Sequence, residues 1–174
     1  MRRRKRQTPA WLEFLETLAL AFVLALLVRT FVLESYQVSG YSMEPTLQNG
    51  ERVLVNKMIF HFESPKPGEI VVFRSPVIPS QDWIKRVIAV PGQTVAIRDG
   101  HVYINGHYEP EPFIKYKDPS SNYKPVKVPP GYLFVLGDNR PDSYDSRYFG
   151  FLSESLLRGE AFVVWWPLKD FRGL

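Results

Sequence analysis

Hydrophobic positions are distributed in two ways along this chain. From Ala10 to Leu33 the sequence reads AWLEFLETLALAFVLALLVRTFVL, with an uninterrupted apolar stretch from Leu18 to Val28. As a helix this segment is about 36 Å long, enough to cross a hydrocarbon layer of roughly 30 Å. Glu13, Glu16 and Arg29 lie toward its two ends, where long side chains can reach the headgroups. Beyond Leu33 the pattern changes to short apolar or alternating runs broken by Gly and Pro: ERVLVNK, GEIVVFR, WIKRVIAV, TVAIRDGHVYING, GYLFVLGDN and EAFVVWWP. Such runs predict a mostly β, antiparallel body.

The turn residues agree with that reading. Asp99-Gly100 between TVAI and HVYI suits the positive φ angles of a two-residue hairpin, and Asn105-Gly106 offers a second turn. The polar, Pro-rich stretch 115–131 reads as an exposed loop. No repeat, phosphate-binding glycine loop or sustained βα alternation is present. The expected organisation is therefore a basic N-terminus (1–9), a transmembrane anchor (10–33) and a β-rich domain (34–174).

Charge sharpens the topology. Arg2, Arg3, Arg4, Lys5 and Arg6 account for the excess of 22 Lys and Arg over 18 Asp and Glu, so the body is close to neutral. A basic footprint for nucleic acid is absent from it. Cations before an apolar span stay in the cytoplasm, which predicts a single pass with the β-rich domain outside. The competing readings of the N-terminus are a cleaved secretory signal and a core helix; no clear small-x-small site follows the apolar run. Without cysteine there is no disulfide framework and no thiolate nucleophile. His61, His101 and His107 show neither metal-ligand spacing nor a Ser-His-Asp context.

Three stretches carry candidate chemistry. In DWIKRVIAVPG, residues 82–92, strand alternation puts Lys85 on one face with Trp83 and Val87, and Arg86 on the other with Ile84 and Ile88. At least one cation must then sit among apolar groups. A desolvated lysine loses proton affinity and can act as a general base, whereas arginine stays charged. The alternative is that both cations snorkel from an edge strand. VSGYSMEPTLQNGE supplies Ser42 in a glycine-containing turn, a candidate nucleophile or an ordinary turn serine. GDNRPDSYDSRYFG, residues 137–150, is either a solvated loop or a polar support for the base.

Taken in order after an N-terminal anchor, SGYSMEPTL, GEIVVF, KRVIAVPG and GDNRPDSYDSRYFG resemble the motif series of type I signal peptidases, membrane-bound Ser–Lys endopeptidases. The resemblance runs from about Gln37 to Pro167. It implies Ser42 as nucleophile and oxyanion-hole donor through its N–H, Lys85 as general base, and Ser143 as the hydroxyl holding that base. It further implies Asp145 and Arg147 as a supporting ion pair with Asp138 nearby, and small-residue pockets around Tyr36, Val38, Met43, Leu47, Trp83 and Ile84. Some members carry a serine two positions before the nucleophile; here that position is Gly40.

The implied reaction is removal of signal peptides from exported precursors after small-x-small sites. No cofactor and no metal are expected; the partners are signal-peptide-bearing precursors and membrane lipid, with no nucleic acid. The implied location is the plasma membrane, with a thylakoid or other membrane left open. The alternatives are a membrane-anchored β-rich binding module and a self-cleaving Ser–Lys repressor relative; the latter would carry a helix-turn-helix in place of the anchor. Trp165 and Trp166 alternate in direction, so one can sit at the headgroups while the other packs inward.

Overall fold

The structure is a computed structural model that describes residues 9–27 and 31–174. It opens with α1 (Ala10–Leu27), followed by the strands β1 (Leu33–Gln37), β2 (Arg52–Asn56), β3 (Ile70–Arg74) and β4 (Asp82–Ala89). Then come β5 (Thr94–Arg98), β6 (His101–Ile104), β7 (His107–Tyr108), β8 (Tyr123–Lys127) and β9 (Tyr132–Leu136). The short helix α2 (Ser146–Phe149) precedes β10 (Leu152–Ser153), β11 (Leu157–Trp166) and β12 (Arg172–Gly173). The body is mostly β, and every strand pairing described is antiparallel.

Two sheets result. The larger runs β1-β2-β11-β3-β4-β9-β10, with β12 on β11; the smaller runs β7-β6-β5-β8. Alternation along β3 explains the division of the large core: Ile70 and Val72 enter a cluster with Val53, Val55 and Val164, while Val71 and Phe73 enter one with Val87, Leu133 and Leu152. A third cluster joins the sheets through Val95, Ile97 and Val102 on one side and Ile88, Phe134 and Leu136 on the other.

Both predicted tight turns form. Asp99 and Gly100 have φ of 49° and 76°, and Asn105 and Gly106 have 52° and 85°, the left-handed values that a type I′ hairpin requires at both central positions. The stretch 115–131 is not wholly loop, because it contains β8. Tyr123 and Val126 pack on the third cluster, and Pro125, which has no N–H, is tolerated because β8 is an edge strand.

The N-terminal helix differs in extent from the expected anchor. It is described to Leu27, residues 28–30 lie outside the described residues, and Leu33 already opens β1. Among the described residues no helix is long and apolar enough to cross a membrane. The basic cluster Arg2–Arg6 also lies outside the described residues.

Sheet topology leaves one gap that matters for chemistry. β1 ends the large sheet and pairs only with β2. β9 pairs β4 from Arg86 onward, so residues 82–85 have a strand partner only on the β3 side. These two free edges face one cleft.

Candidate active site

The turn after β1 carries Ser42. It is rooted by Val38, Met43 and Leu47, all buried in the cluster of Val53 and Val164, and by the Leu47 N–H donating to the Met43 carbonyl at 2.9 Å. Lys85 stands opposite Val71 in the β3–β4 register. Its Nζ donates to Ser42 Oγ at 2.8 Å and to the Ile84 carbonyl at 3.0 Å. Lys85 and Arg86 are 5% and 8% exposed, so neither snorkels to solvent.

Burial lowers the Lys85 pKa to about 8, against the opposing pull of Asp145 and Asp138. Each of these carboxylates is itself held by an arginine. Asp138 accepts from Arg86 Nε at 2.9 Å and Nη2 at 2.6 Å, and from Thr46 Oγ1 at 2.5 Å. Asp145 accepts from Arg147 Nε at 2.8 Å and Nη2 at 2.9 Å. Two buried anions thus meet two buried cations beside the buried amine.

Asp145 also organises the loop that follows β9. Its carboxylate takes the Gly137 N–H at 3.1 Å, Ser143 Oγ at 2.7 Å and the Arg147 N–H at 3.2 Å. The loop is stitched to the turn that carries Ser42 by Asn139, whose N–H donates to the Ser42 carbonyl at 3.0 Å and whose Nδ2 donates to the Tyr41 carbonyl at 3.1 Å. Ser143 therefore donates to Asp145, whereas the hydrogen bonds of the amine go to Ser42 and Ile84. Among the described residues, every buried side-chain nitrogen and oxygen has a partner.

A cleft of about 380 Å³ opens over the pair, with Tyr36, Val38, Trp83, Ile84 and Tyr144 among its walls. Val38, Ile84 and Tyr36 belong to one apolar cluster. Met43 and Leu47, 1% and 0% exposed, lie beneath this wall rather than on its surface. Trp83 faces the other way, with Lys85 and Val87, and packs edge-on against Tyr144 at 6.0 Å between centroids. Among the described residues no group of three or more His, Asp or Glu is arranged to hold a metal ion.

Several residues of the site have no obvious signal in the sequence. Arg86 as the partner of Asp138 was foreshadowed only by its apolar strand, which demands a buried counter-charge. Thr46 gave none. Gly137 is a position where a Cβ would lie 2.3 Å from Ser143 Oγ and 2.5 Å from the Ser42 carbonyl oxygen, so only glycine allows the loop to close on the turn that carries Ser42.

Comparison with known proteins places the chain in a family. Residues 11–166 match the family described as "Signal peptidase, peptidase S26". "Probable signal peptidase I-2" of Synechocystis is 41% identical over 173 residues, covering 95% of this chain and 79% of that protein. "Signal peptidase I T" of Bacillus subtilis is 37% identical, covering 97% and 92%. A crystal structure of a signal peptidase I from Enterococcus faecalis is 35% identical and superposes with a TM-score of 0.50, covering 56% of this chain and 97% of that one. The chain belongs to the signal peptidase family, peptidase S26.

Proposed function

We propose that Ser42 is the nucleophile and Lys85 the general base of a signal peptidase, a serine endopeptidase that removes N-terminal signal peptides from exported precursors. The observation that carries this is a buried amine 2.8 Å from a serine hydroxyl, with both neighbouring carboxylates engaged by arginines. Neutral Lys85 takes the Ser42 proton as Oγ bonds to the scissile carbonyl carbon. The resulting oxyanion receives the Ser42 N–H, which has no acceptor among the described backbone hydrogen bonds. The ammonium then protonates the departing amine, leaving an acyl-enzyme. Lys85, neutral again, deprotonates a water that attacks the ester, and the proton returns to Ser42.

An extended substrate fits the cleft as an added strand between the free edges of β1 and β4. Side chains one and three residues before the cut then point to the wall of Val38 and Ile84, where small residues fit. Ser143 and Asp145 hold the loop that covers the amine. A binding module does not account for the buried Ser42–Lys85 pair, and a self-cleaving repressor would carry a helix-turn-helix where this chain has α1.

The reading extends to a membrane. Trp11, Phe14, Leu20, Val23 and Leu24 point to different sides of α1 and are all exposed, so the helix presents large apolar side chains on more than one face. Phe162, Trp166, Leu168 and Phe171 form further exposed apolar surface near the C-terminus, while Trp165 donates to Ser35 Oγ at 2.9 Å. We read the segment that starts with α1 and ends before β1 as a single anchor, N-terminus in the cytoplasm and catalytic domain outside, which brings the enzyme and membrane-borne precursors together.

The test is cleavage of one precursor in detergent by the wild type, Ser42→Ala and Lys85→Arg, with protease accessibility of the domain in intact cells. Activity in the wild type alone, and an externally accessible domain, are expected. Turnover by Lys85→Arg overturns the neutral-amine mechanism, because guanidinium does not deprotonate.

A further inference from the structure

Residues 109–122 connect β7 to β8 as a strap along the back of the loop that follows β9. Three arginines of the site meet it. Arg140 is the most engaged: both its terminal nitrogens donate to the Glu111 carboxylate, Nη1 at 3.2 Å, and its backbone N–H donates to the Tyr116 carbonyl at 3.3 Å. Arg147, already bonded to Asp145, reaches Asp118 at 3.6 Å and Ser121 Oγ at 3.4 Å. Arg86, already bonded to Asp138, lies 4.0 Å from the centre of the Phe113 ring.

The strap is fixed from behind as well. The Gly100 N–H at the tip of the β5–β6 hairpin donates to the Ser121 carbonyl at 2.9 Å. A Cβ at Gly100 would lie 2.5 Å from the Asp118 carbonyl oxygen, so the glycine that makes the hairpin also lets its tip touch the strap. The small sheet thus bears on the strap, and the strap bears on the loop.

One path leads from there to the reacting atoms. Arg140 Nε donates to the Gly137 carbonyl at 3.0 Å. Gly137 is the residue wedged against Ser143 Oγ and the Ser42 carbonyl, with its N–H on Asp145. The side chains of Arg140 and Glu111 are 3% and 11% exposed. A guanidinium so deeply buried tolerates loss of its carboxylate poorly and will seek another acceptor, taking Gly137 with it.

We propose that Glu111 is a positioning residue for the Ser42–Lys85 pair, acting through Arg140 and the Gly137 carbonyl, and that the small sheet braces the reaction site through it. This rests on the assignment of Ser42 and Lys85 above. Glu111 touches neither substrate nor amine. Its loss lets the loop lift from the nucleophile turn, lengthens the Nζ–Oγ contact and admits water to Lys85. The groups whose charge faces the amine, Asp138 and Asp145, are on that loop or its root, and Asp82 and Asp142 line the same cleft. The apolar wall of Tyr36, Val38 and Ile84 belongs to β1, the residue that follows it and β4, and is untouched.

The experiment compares wild type, Glu111→Gln, Glu111→Ala, Glu111→Asp and Lys85→Arg as purified full chains in detergent, each followed by thermal unfolding and by a pH–rate profile on one small-x-small peptide. Glu111→Gln and Glu111→Ala should lose about tenfold in kcat, with KM within about twofold, a split expected when a base is mis-aimed. Their rise of rate with pH should move toward the ordinary lysine range, and Glu111→Asp, which keeps the charge, should recover part of both effects. Glu111→Gln is nearly isosteric and carries the test if the alanine variant does not fold. Wild-type kcat and pH profile in the folded variants overturn the proposal, as does a rate loss that only follows the unfolded fraction. An active Lys85→Arg overturns the underlying dyad instead, so the two failures are distinct.

Discussion

Arg86 lays its guanidinium against Asp138 through two hydrogen bonds, at 2.9 and 2.6 Å, with side chains only 10% and 0% exposed. The pair ties β4, which bears Lys85, to the loop that covers it. Removing one partner leaves the other charged and buried, so Asp138→Ala should lose about 3–5 kcal/mol of stability. Replacing both, as in Arg86→Met with Asp138→Leu, should lose less than Asp138→Ala alone. Thermal or denaturant unfolding of the three proteins checks the order.

Activity should rise with pH through a limb centred near 8, because below it the amine holds its proton and cannot take one from Ser42. A pH–rate profile measured under kcat/KM conditions reports this group in the free enzyme. A limb near 10.5 would mean that Lys85 is solvated.

The same burial has a cost in stability. The folded-state pKa of Lys85 lies below the unfolded value, so the unfolded chain binds this proton more readily, and stability should rise as pH climbs from about 8 to 10.5. Lys85→Met removes the charge and keeps the volume. That variant should be inactive, more stable than wild type at pH 7, and lack the rise. Unfolding measured at pH 7 and pH 10 gives both slopes.

Gly137→Ala places a methyl group 2.3 Å from Ser143 Oγ and 2.5 Å from the Ser42 carbonyl oxygen. The backbone contact cannot yield by rotation of a side chain, so the loop must move away from the turn that carries Ser42. A loss on the order of 10² in kcat, larger than any change in KM, is expected from steady-state kinetics.

Peptides with Phe or Leu immediately before the cut should be processed far more slowly than the Ala parent. The wall there is formed by Val38 and Ile84, backed by fully buried Met43 and Leu47 that cannot move aside without opening the core. Equal kcat/KM for Ala and Phe peptides would remove this wall from the specificity site.

Much of the fold was legible because its signals are local. Strand alternation placed Lys85 with Trp83 and Val87 and set Arg86 on the opposite face, and Asp99-Gly100 and Asn105-Gly106 determined two turns by backbone sterics alone. β8 was missed because Pro125 and the surrounding polar residues resemble a loop, and only the edge position of the strand makes them acceptable. Partnerships across the chain were harder. Arg86 with Asp138, Arg140 with Glu111 and the contact of Gly137 with Ser42 join residues far apart in sequence, and nothing local records which acceptor a buried arginine will find. Ser143 shows a different limit: its hydroxyl turns to Asp145, two residues away, while the amine bonds to Ser42 and Ile84, and the motif alone does not say which neighbour the hydroxyl takes.

The unpaired edges of β1 and β4 have a wider consequence. A cleft that completes its sheet with an incoming chain recognises the peptide backbone, which every protein presents alike, and consults side chains at only a few points. Such an enzyme can serve a large and unrelated clientele without a separate fit for each member. Its selectivity then depends on which chains arrive extended and unfolded at the cut, so a folded domain carrying the same short sequence is left intact.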